Sequence, residues 1–373
     1  MRKGAPMSDT LSPSEPRAQI PDNLSEISYP YGLKKAPELG QTIEMAPGIH
    51  WLRMPLPYML DHINLYLIED GDGWVIVDTG VNTSKVRDLW ETVFEGVMGG
   101  RPVTKVIVTH LHPDHVGLAG WLTRRFGVEL WMSRTDYLMC RNLVLDTGTE
   151  APEEGIRFYR EAGFNDAQIE RYRKRFGGFG KDVSAIPQSF RRLVGGQEMK
   201  IGGRTWRAIV GSGHAPEHIC MYCPEAGVLL SGDQVLPRIS SNISVQPTEP
   251  QADPLTDWLE SCARIRDELP ADTLVGPAHN EPFYGVKVRL QALIDEHEED
   301  LGKLETMLAE PKKPNEVFSA LFRRPITDDL VHMATGESLA HLNCLITRGR
   351  ARRFMGEDGV ARYVQLNRED AAA

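Results

Sequence analysis

The sequence predicts a layered α/β domain followed by a smaller, mainly helical module. Short apolar segments of β type alternate with segments of helical periodicity between about residues 62 and 276, which is the order of a layered α/β domain. From residue 286 onward the pattern is mainly helical, and it ends in a strand, a turn and a strand. The length of 373 residues suits one large domain with a smaller companion.

The first half of the α/β domain contains a hairpin and two helices. Two β-type runs are separated by a turn that includes Asp70, Gly71 and Asp72, which predicts a β-hairpin. A helical segment further along ends at Gly127, a residue type that commonly ends helices. We predict strands at 62–69, 73–78, 105–109 and 129–132, and helices at 83–97 and 118–126.

The second half of the domain follows a long insertion. We predict strands at 205–210, 219–222, 227–230 and 273–276, and a helix at 254–268. Cys220 and Cys223 form a C-x-x-C pair in and directly after the second of these strands. A spacing of three in a strand directs the two thiols to opposite faces, which favours a structural role over a redox or zinc site.

The insertion at 135–195 is mostly helical and polar, and it is the candidate substrate lid. Its aromatic side chains would line an acyl pocket, and its basic side chains would hold an anionic group of the substrate. The alternative is a solvated basic helix whose aromatic residues form their own core. The aromatic residues are Phe158, Tyr159, Phe164, Tyr172, Phe176 and Phe179, and the basic ones are Arg157, Arg160, Arg171, Arg173, Lys174 and Arg175.

The sequence pattern of the C-terminal part predicts a small winged-helix module. Helical patterns at 286–309, 314–322 and 328–345 precede a strand, a turn at 356–359 and a second strand at 361–366. Basic and acidic residues are nearly balanced in 310–366, so the charge of the wing does not favour a nucleic-acid role. We expect the module to pack on the main domain and to close one side of the site or of a homodimer.

Composition narrows the class of protein. Charged residues make up 25% and hydrophobic residues 41%, as in ordinary globular proteins. The net charge of −10 argues against broad nucleic-acid binding, and no apolar run reaches the roughly 18 residues of a membrane span. Five scattered cysteines make no disulfide framework, so a cytoplasmic location is expected. Residues 1–25, rich in proline, serine and charge, are expected to be a disordered tail.

Four metal-capable side chains lie within six residues, directly after a buried strand. They are His110, His112, Asp114 and His115, in the sequence H-x-H-x-D-H. Neutral imidazole and carboxylate bind zinc and other borderline divalent metals. A single histidine after a strand is usually structural, but four such groups without a partner would be expensive to bury. This cluster therefore predicts a metal site.

Three further candidates follow predicted strands. His214, Asp233 and His279 each stand next to small residues at a strand end, where the backbone can approach a ligand closely. His62 and His218 lie near these motifs and are candidates for the pocket or for holding a ligand in place. Asp78, in the sequence Val-Asp-Thr-Gly, either caps a turn or orients a ligand histidine.

These motifs, in this order, resemble those of the metallo-β-lactamase superfamily, and the segment 62–80 resembles the start of its fold. The resemblance covers roughly residues 45–285. It implies a four-layer αβ/βα sandwich with metal ions at one edge between the sheets. The C-terminal region resembles the winged-helix extension of one branch. We therefore expect a catalytic domain at 26–285, with its insertion at 135–195, and a C-terminal module at 286–373.

The resemblance also implies a set of ligands for two divalent metal ions. Zinc is the expected metal, and the same ligands would accept iron or manganese. One ion would be bound by His110, His112 and His214, and the other by Asp114, His115 and His279. Asp233 would bridge the two ions. Asp114 is the expected catalytic residue, because it would also handle a proton.

The implied chemistry is hydrolysis of a small ester, thioester or lactone by a metal-bridged hydroxide. The ligand set resembles that of hydroxyacylglutathione hydrolases, acylhomoserine lactonases and ribonuclease Z enzymes. Asp233 stands where the true β-lactamases differ, so an antibiotic is not expected as the natural substrate. Three alternatives stay open: a phosphodiesterase or ribonuclease of the same fold, a persulfide dioxygenase with one iron, and a non-catalytic binding module.

Overall fold

The computed structural model describes residues 26–366. The disordered tail predicted for residues 1–25 lies outside the described residues, and so do residues 367–373. Two large β-sheets form the centre of the described chain, and a two-stranded sheet lies near its end. Among the helices of residues 26–366, none has the length and apolar character needed to cross a membrane.

The first sheet has seven strands in the order of the sequence. Its first four strands are antiparallel neighbours, and the next three continue in parallel. The hairpin predicted around Asp70 is confirmed, because Asp70 pairs with Gly73. The strands are β1 (Thr42–Ala46), β2 (Ile49–Pro55), β3 (His62–Asp70), β4 (Gly73–Val77), β5 (Val103–Ile107), β6 (Leu130–Met132) and β7 (Arg191–Arg192).

Three helices belong to the outer face of this sheet. They are α1 (Ser84–Glu95), the single turn α2 (Pro113–Val116) and α3 (Ala119–Phe126). Trp90 and Val93 of α1 are fully buried in one core with Ile76 of β4. The predicted end of α3 is confirmed, because Gly127 follows it with a left-handed φ of 65° that glycine adopts without strain.

The second sheet has five strands, with β11 and β12 parallel and the others antiparallel. Its strands are β8 (Glu198–Ile201), β9 (Arg204–Gly211), β10 (His218–Cys223), β11 (Val228–Gly232) and β12 (Leu274–Pro277). Trp51 and Val75 of the first sheet share a core with Trp206 and Leu230 of the second. The two sheets therefore pack face to face, with helices outside each, which confirms the four-layer α/β fold.

The C-x-x-C pair is structural. Cys220 and Cys223 are both buried and unpaired in β10. Cys220 belongs to the core on the helical side of the second sheet, whereas Cys223 belongs to the core between the sheets. The prediction that the thiols face opposite ways is confirmed.

The insertion contains the helices α4 (Arg134–Leu145), α5 (Glu153–Glu161) and α6 (Asp166–Arg175), with a 3-10 turn at Phe179–Lys181. Four of the aromatic residues expected to line an acyl pocket belong to a buried core shared with the C-terminal helices. These four are Phe158, Tyr159, Phe164 and Tyr172. Their packing agrees with the alternative of an internal aromatic core, but Phe164 and Tyr172 also line a cavity with Arg171 and Arg175, so the acyl lining stays a prediction.

The second sheet is covered by α7 (Pro254–Glu268) and by the C-terminal elements. These are α8 (Val286–Met307), a 3-10 turn at Pro314–Glu316, α9 (Phe318–Leu321), α10 (Val331–Thr347), β13 (Ala351–Met355) and β14 (Ala361–Gln365). The two last strands pair antiparallel, so the predicted succession of helix, strand, turn and strand is present. The assignment of this C-terminal module to the winged-helix class stays a prediction.

Candidate metal centre

The carboxyl ends of five strands deliver the candidate residues to one edge of the sandwich. Asp78 follows β4, the motif from His110 to His115 follows β5, His214 follows β9, Asp233 follows β11 and His279 follows β12. Because β4 and β5 are parallel neighbours, and β11 and β12 are too, the ends of each pair meet at the same sheet edge. All seven predicted site residues are thereby brought together.

The seven side chains form two adjoining clusters. The first consists of His110, His112, His214 and Asp233, and the second of Asp114, His115 and His279. Within each cluster the potential ligand atoms all lie within 4.8 Å of one another. Separations of this size allow one ion to contact every member of a cluster.

Asp233 lies between the two clusters and turns one oxygen toward each. Its Oδ2 is 3.3 Å from Nε2 of His214. Its Oδ1 is 3.5 Å from Nε2 of His115 and 3.4 Å from Nε2 of His279. One carboxylate thus faces histidines of both clusters, which is the arrangement a bridging ligand requires.

Three histidines are held by the ring nitrogen that points away from the centre. Nδ1 of His115 is 2.8 Å from Oδ2 of Asp78. Nδ1 of His214 is 2.7 Å from the backbone carbonyl of Asn242. Nδ1 of His279 is 2.8 Å from the backbone carbonyl of His62. An acceptor at Nδ1 fixes the proton there and leaves the lone pair of Nε2 directed at the centre.

The buried polar atoms at this site fit a metal. Nε2 of His115, Nε2 of His214 and Oδ1 of Asp233 are buried and make no hydrogen bond within residues 26–366. A buried polar atom without a partner costs about 1–3 kcal/mol. Nε2 of His214 belongs to the first cluster, whereas Nε2 of His115 and Oδ1 of Asp233 face each other at the second, and divalent ions with nitrogen and oxygen ligands would satisfy all three atoms.

The electrostatics differ between the two clusters. Burial holds the pKa of His110 well below its ordinary value and lowers that of His112 to about 3, so both imidazoles are neutral donors. Burial also acts to lower the pKa of His279, but the nearby Asp233 and Asp114 carboxylates raise it to about 10. The second cluster therefore concentrates negative charge, which a cation balances.

Asp78 contacts a histidine of the second cluster, as the orienting role considered for it requires. It adopts a φ of 60° in the turn after β4. Its Oδ1 accepts the backbone N–H of Thr109 at 2.8 Å, and its Oδ2 accepts the Thr109 hydroxyl at 2.9 Å and faces His115. The carboxylate thus joins the turn after β4 to the start of the histidine motif.

His62 and His218, expected near the site, both support it through other residues. Nε2 of His218 accepts the backbone N–H of Asp233 at 3.0 Å, and its ring stacks on that of His110 at 4.7 Å. Nε2 of His62 accepts the N–H of Asn280 at 3.0 Å. Both contact the loops that carry cluster residues, so they support these loops and are not members of either cluster.

Two positioning residues escaped the sequence analysis. Asp136 in α4 accepts the N–H of Leu111 at 3.0 Å and that of Glu217 at 2.8 Å, which ties together two ligand loops. Asn64 in β3 donates to the carbonyls of Pro277 at 2.9 Å and Asn280 at 2.7 Å, on either side of His279. A polar residue inside the apolar run of β3 was the available signal for Asn64, but an aspartate early in a helix is ordinary.

The mouth of the site is bordered by the loop between β2 and β3. His112, Asp114 and His214 are the partly exposed members of the clusters, so this side faces solvent. The loop exposes Tyr58, Met59 and Leu60, with Met59 88% exposed. The phenol of Tyr58 donates to Asp182 at 3.0 Å, and burial, this hydrogen bond and the charges of Asp182 and Asp114 raise its pKa.

The fold and the site together define a metal-dependent hydrolase. Its imidazoles and carboxylates form candidate metal-binding clusters at the edge of a four-layer sandwich. Residues 59–279 match the family model of the metallo-beta-lactamase superfamily. Residues 301–366 match the model of the metallo-beta-lactamase-like C-terminal domain. The chain belongs to the metallo-β-lactamase superfamily.

Individual relatives agree with this assignment. The crystal structure of a beta-lactamase domain protein from Burkholderia ambifaria matches with a TM-score of 0.84 and 39% identity, covering 92% of this chain and 99% of that one. The probable metallo-hydrolase YqjP of Bacillus subtilis is 25% identical over 304 residues, 79% of this chain and 91% of that protein. An atrochrysone carboxyl ACP thioesterase from Aspergillus novofumigatus is 24% identical over 182 residues, 49% of this chain and 41% of that protein.

Proposed function

We propose that this metallo-hydrolase cleaves a small ester, thioester or lactone at a centre of two divalent ions. The position of Asp233 carries the proposal, because its two oxygens face different clusters at 3.3–3.5 Å. The first ion would be held by His110, His112 and His214, the second by Asp114, His115 and His279, and Asp233 would bridge them. Zinc is the expected metal, and iron or manganese would accept the same ligands.

The bound ions would supply a nucleophile derived from water at neutral pH and would polarise the substrate carbonyl. The protein's own part is to orient the ligands and to move a proton. Asp114 suits the second task, because it is partly exposed at the mouth and its Oδ2 is 3.5 Å from Nε2 of His279. A carboxylate in this position can accept a proton from the attacking water and pass it to the leaving group.

Covalent catalysis by cysteine does not fit the chain. All five cysteines are buried and unpaired. Burial raises the pKa of Cys140 and of Cys262 to about 12, so neither forms the reactive thiolate at neutral pH. Unpaired thiols of this kind suit the reducing cytoplasm, in which we place the protein.

The substrate class is supported by two observations. Tyr58, Met59 and Leu60 are exposed apolar residues of the loop that leads to His62, whose carbonyl contacts His279, and an apolar surface there would suit an acyl group. One relative is named an atrochrysone carboxyl ACP thioesterase. A thioester or ester is therefore the first class to test, and the resemblance to hydroxyacylglutathione hydrolases and lactonases extends the test to those bonds.

The test combines metal analysis with a substrate screen. We expect about two metal ions per chain and turnover of an ester, thioester or lactone probe that disappears on chelation. Asp114→Ala should lower kcat by about 100-fold or more, as loss of a general acid–base group does. Asp72→Ala, in the exposed turn between β3 and β4, is the matched control and should retain full turnover.

Three results would count against the proposal. A single iron without hydrolysis would indicate a dioxygenase. Turnover of phosphodiester probes alone would indicate a nuclease of the same fold. Unchanged turnover in Asp114→Ala would remove the proposed proton carrier.

A further inference from the structure

The segment that follows Asp233 in the chain packs against the C-terminal helix α10 at residues 243–245. Ile243 and Val245 are buried in the same core as α10, and the N–H of Val245 donates to the carbonyl of Gly336 at 3.1 Å. A Cβ atom on Gly336 would lie 2.8 Å from the hydroxyl of Ser244. The absence of a side chain at Gly336 therefore permits this close approach of the segment to the helix.

A side chain of α10 holds the residue that orients His214. Oε2 of Glu337 accepts a hydrogen bond from Nδ2 of Asn242 at 2.8 Å, and Oδ1 of Asn242 accepts the hydroxyl of Ser244 at 2.6 Å. The carbonyl of the same Asn242 lies 2.7 Å from Nδ1 of His214. Two hydrogen bonds thus connect Glu337 to a histidine of the first cluster.

A second set of contacts links the turn of α10 that carries Glu337 to α8. Nδ1 of His341 is 2.9 Å from the backbone carbonyl of Glu337, and Nε2 of His341 is 3.3 Å from Nδ1 of His297 in α8. Nε2 of His297 in turn lies 3.2 Å from the hydroxyl of Ser240. Because burial lowers the pKa of both histidines, that of His297 to about 3, these are contacts between neutral rings.

We propose that Glu337 is a positioning residue of the metal centre, which fixes the imidazole of His214 by holding Asn242. The C-terminal module would then be part of the catalytic machinery as well as of the fold. This inference rests on the proposed metal site. It adds that the geometry at the first ion depends on a side chain that touches none of the proposed ligands.

The hydrogen-bonding chemistry of Glu337 makes the idea testable by paired variants. Glu337→Ala removes the acceptor for Asn242, so the Asn242 carbonyl becomes free to move away from His214. Glu337→Gln replaces the carboxylate by an amide, whose oxygen can accept the same hydrogen bond. Loss of a group that orients a metal ligand typically costs about 10–100-fold in metal affinity or activity.

The experiment uses the full-length protein loaded with cobalt(II), whose visible spectrum reports ligand geometry. Cobalt affinity is measured by competition with a chelator, and kcat and KM are measured on the active probe. Glu337→Ala should weaken binding of one cobalt ion by about tenfold or more, change the visible spectrum and lower kcat more than it changes KM. Glu337→Gln should restore the spectrum and most of the affinity.

Two controls separate positioning from general loss of stability. Leu339→Ala removes a buried apolar side chain of the same helix, so it should destabilise the fold while the cobalt spectrum stays unchanged. Asn242→Ala approaches the contact from the other side and should reproduce the effect of Glu337→Ala. The double variant should be no worse than either single one, because both remove the same interaction.

The outcomes distinguish this inference from the proposed function. Wild-type protein that binds no cobalt would overturn the metal site and this inference with it. Wild-type protein that binds two ions, with a Glu337→Ala variant of unchanged spectrum and affinity, would overturn only the role of Glu337. Additive losses in the double variant, or an equal spectral change in Leu339→Ala, would also overturn that role.

Discussion

The buried aspartates at the site have different partners, and their partners indicate their tasks. Asp78 and Asp136 both accept backbone N–H groups, so each fixes a loop. Asp233 faces imidazole nitrogens and keeps a buried Oδ1 without a hydrogen bond from the described residues. Carboxylates saturated by the backbone hold the scaffold, and the carboxylate left free is suited to bind cations.

Asp136 provides a prediction at the scale of one residue. Its two oxygens accept N–H groups from different loops, so the side-chain amide introduced by Asp136→Asn would turn a donor toward another donor. The free energy of unfolding at pH 7 should fall by about 1–3 kcal/mol. Turnover should fall as well, because Leu111 lies between two cluster histidines. Urea denaturation of metal-free protein measures the first effect and the screening assay the second.

The loss of stability in Asp136→Asn should depend on pH in a defined direction. Burial raises the pKa of Asp136 to about 6, so the native state binds its proton more tightly than the unfolded state does. The contribution of Asp136 to stability therefore decreases as the pH rises from about 4 to 6. The gap between wild type and Asp136→Asn should narrow across that range. Asp88→Asn, at an exposed position of α1, is the control, and a gap that widens with pH would contradict the assignment.

The seven cluster residues were predictable because metal binding requires particular residue types after strands. Positioning residues leave no such pattern. Asp136 hydrogen-bonds backbone groups 25 and 81 positions away, and backbone groups carry no residue identity. Asn242 orients His214 through its carbonyl, a group that almost any residue could supply at that position.

At the scale of elements, the end of β11 depends on a glycine. Gly232 adopts a φ of 50°, and a Cβ atom there would lie 2.6 Å from the ring of His218 and 3.0 Å from the hydroxyl of Thr109. Both neighbours support cluster residues, since His218 accepts the N–H of Asp233 and the Thr109 hydroxyl lies 3.1 Å from Nδ1 of His115. The sharp turn that presents Asp233 therefore requires the absence of a side chain.

Gly232→Ala should disturb the metal site as well as the fold. Strain from the left-handed backbone and the forced shift of His218 should each cost about 1–3 kcal/mol. Metal content and turnover should fall together, measured by elemental analysis and by the active probe. Gly71→Ala, in the open hairpin turn between β3 and β4 with a similar φ of 62° and no neighbour within 4 Å, controls for backbone strain alone. Equal metal loss in both variants would contradict the role of the close contact.

Elements with a strong pattern of their own were predictable, and elements made by pairing were not. The helix predicted at 254–268 coincides with α7, where Asp253 caps the first turn and Pro254 suits the first position. By contrast, β7 is two exposed arginines whose extended form comes from pairing with β6, some 60 residues earlier. The strands β1 and β2 also escaped prediction, because short strands depend on their neighbours more than on local propensity.

At the scale of the whole molecule, one core joins the regions that the sequence divides into domain, insertion and C-terminal module. It contains Tyr159 of the insertion, Leu229 of the second sheet, Trp258 of α7 and Leu342 of α10. Ion pairs between Arg353 and Glu161 and between Arg171 and Asp328 join the same regions at the surface. The insertion and the C-terminal module therefore contribute to one cooperative unit.

A chain that ends at residue 285 should consequently fail to fold into a stable catalytic domain. Its loss of α8 and α10 would expose the buried faces of α7 and of the insertion, including Trp258, Leu255 and Phe158. Each large apolar side chain exposed costs about 1.5–3 kcal/mol, and a domain has only about 5–15 kcal/mol of stability in all. Circular dichroism should show no cooperative urea transition, and elemental analysis should show little bound metal. Residues 286–373 added as a separate polypeptide should restore both, whereas a truncated chain that unfolds cooperatively with its two ions bound would show that the second sheet is stable without the C-terminal helices.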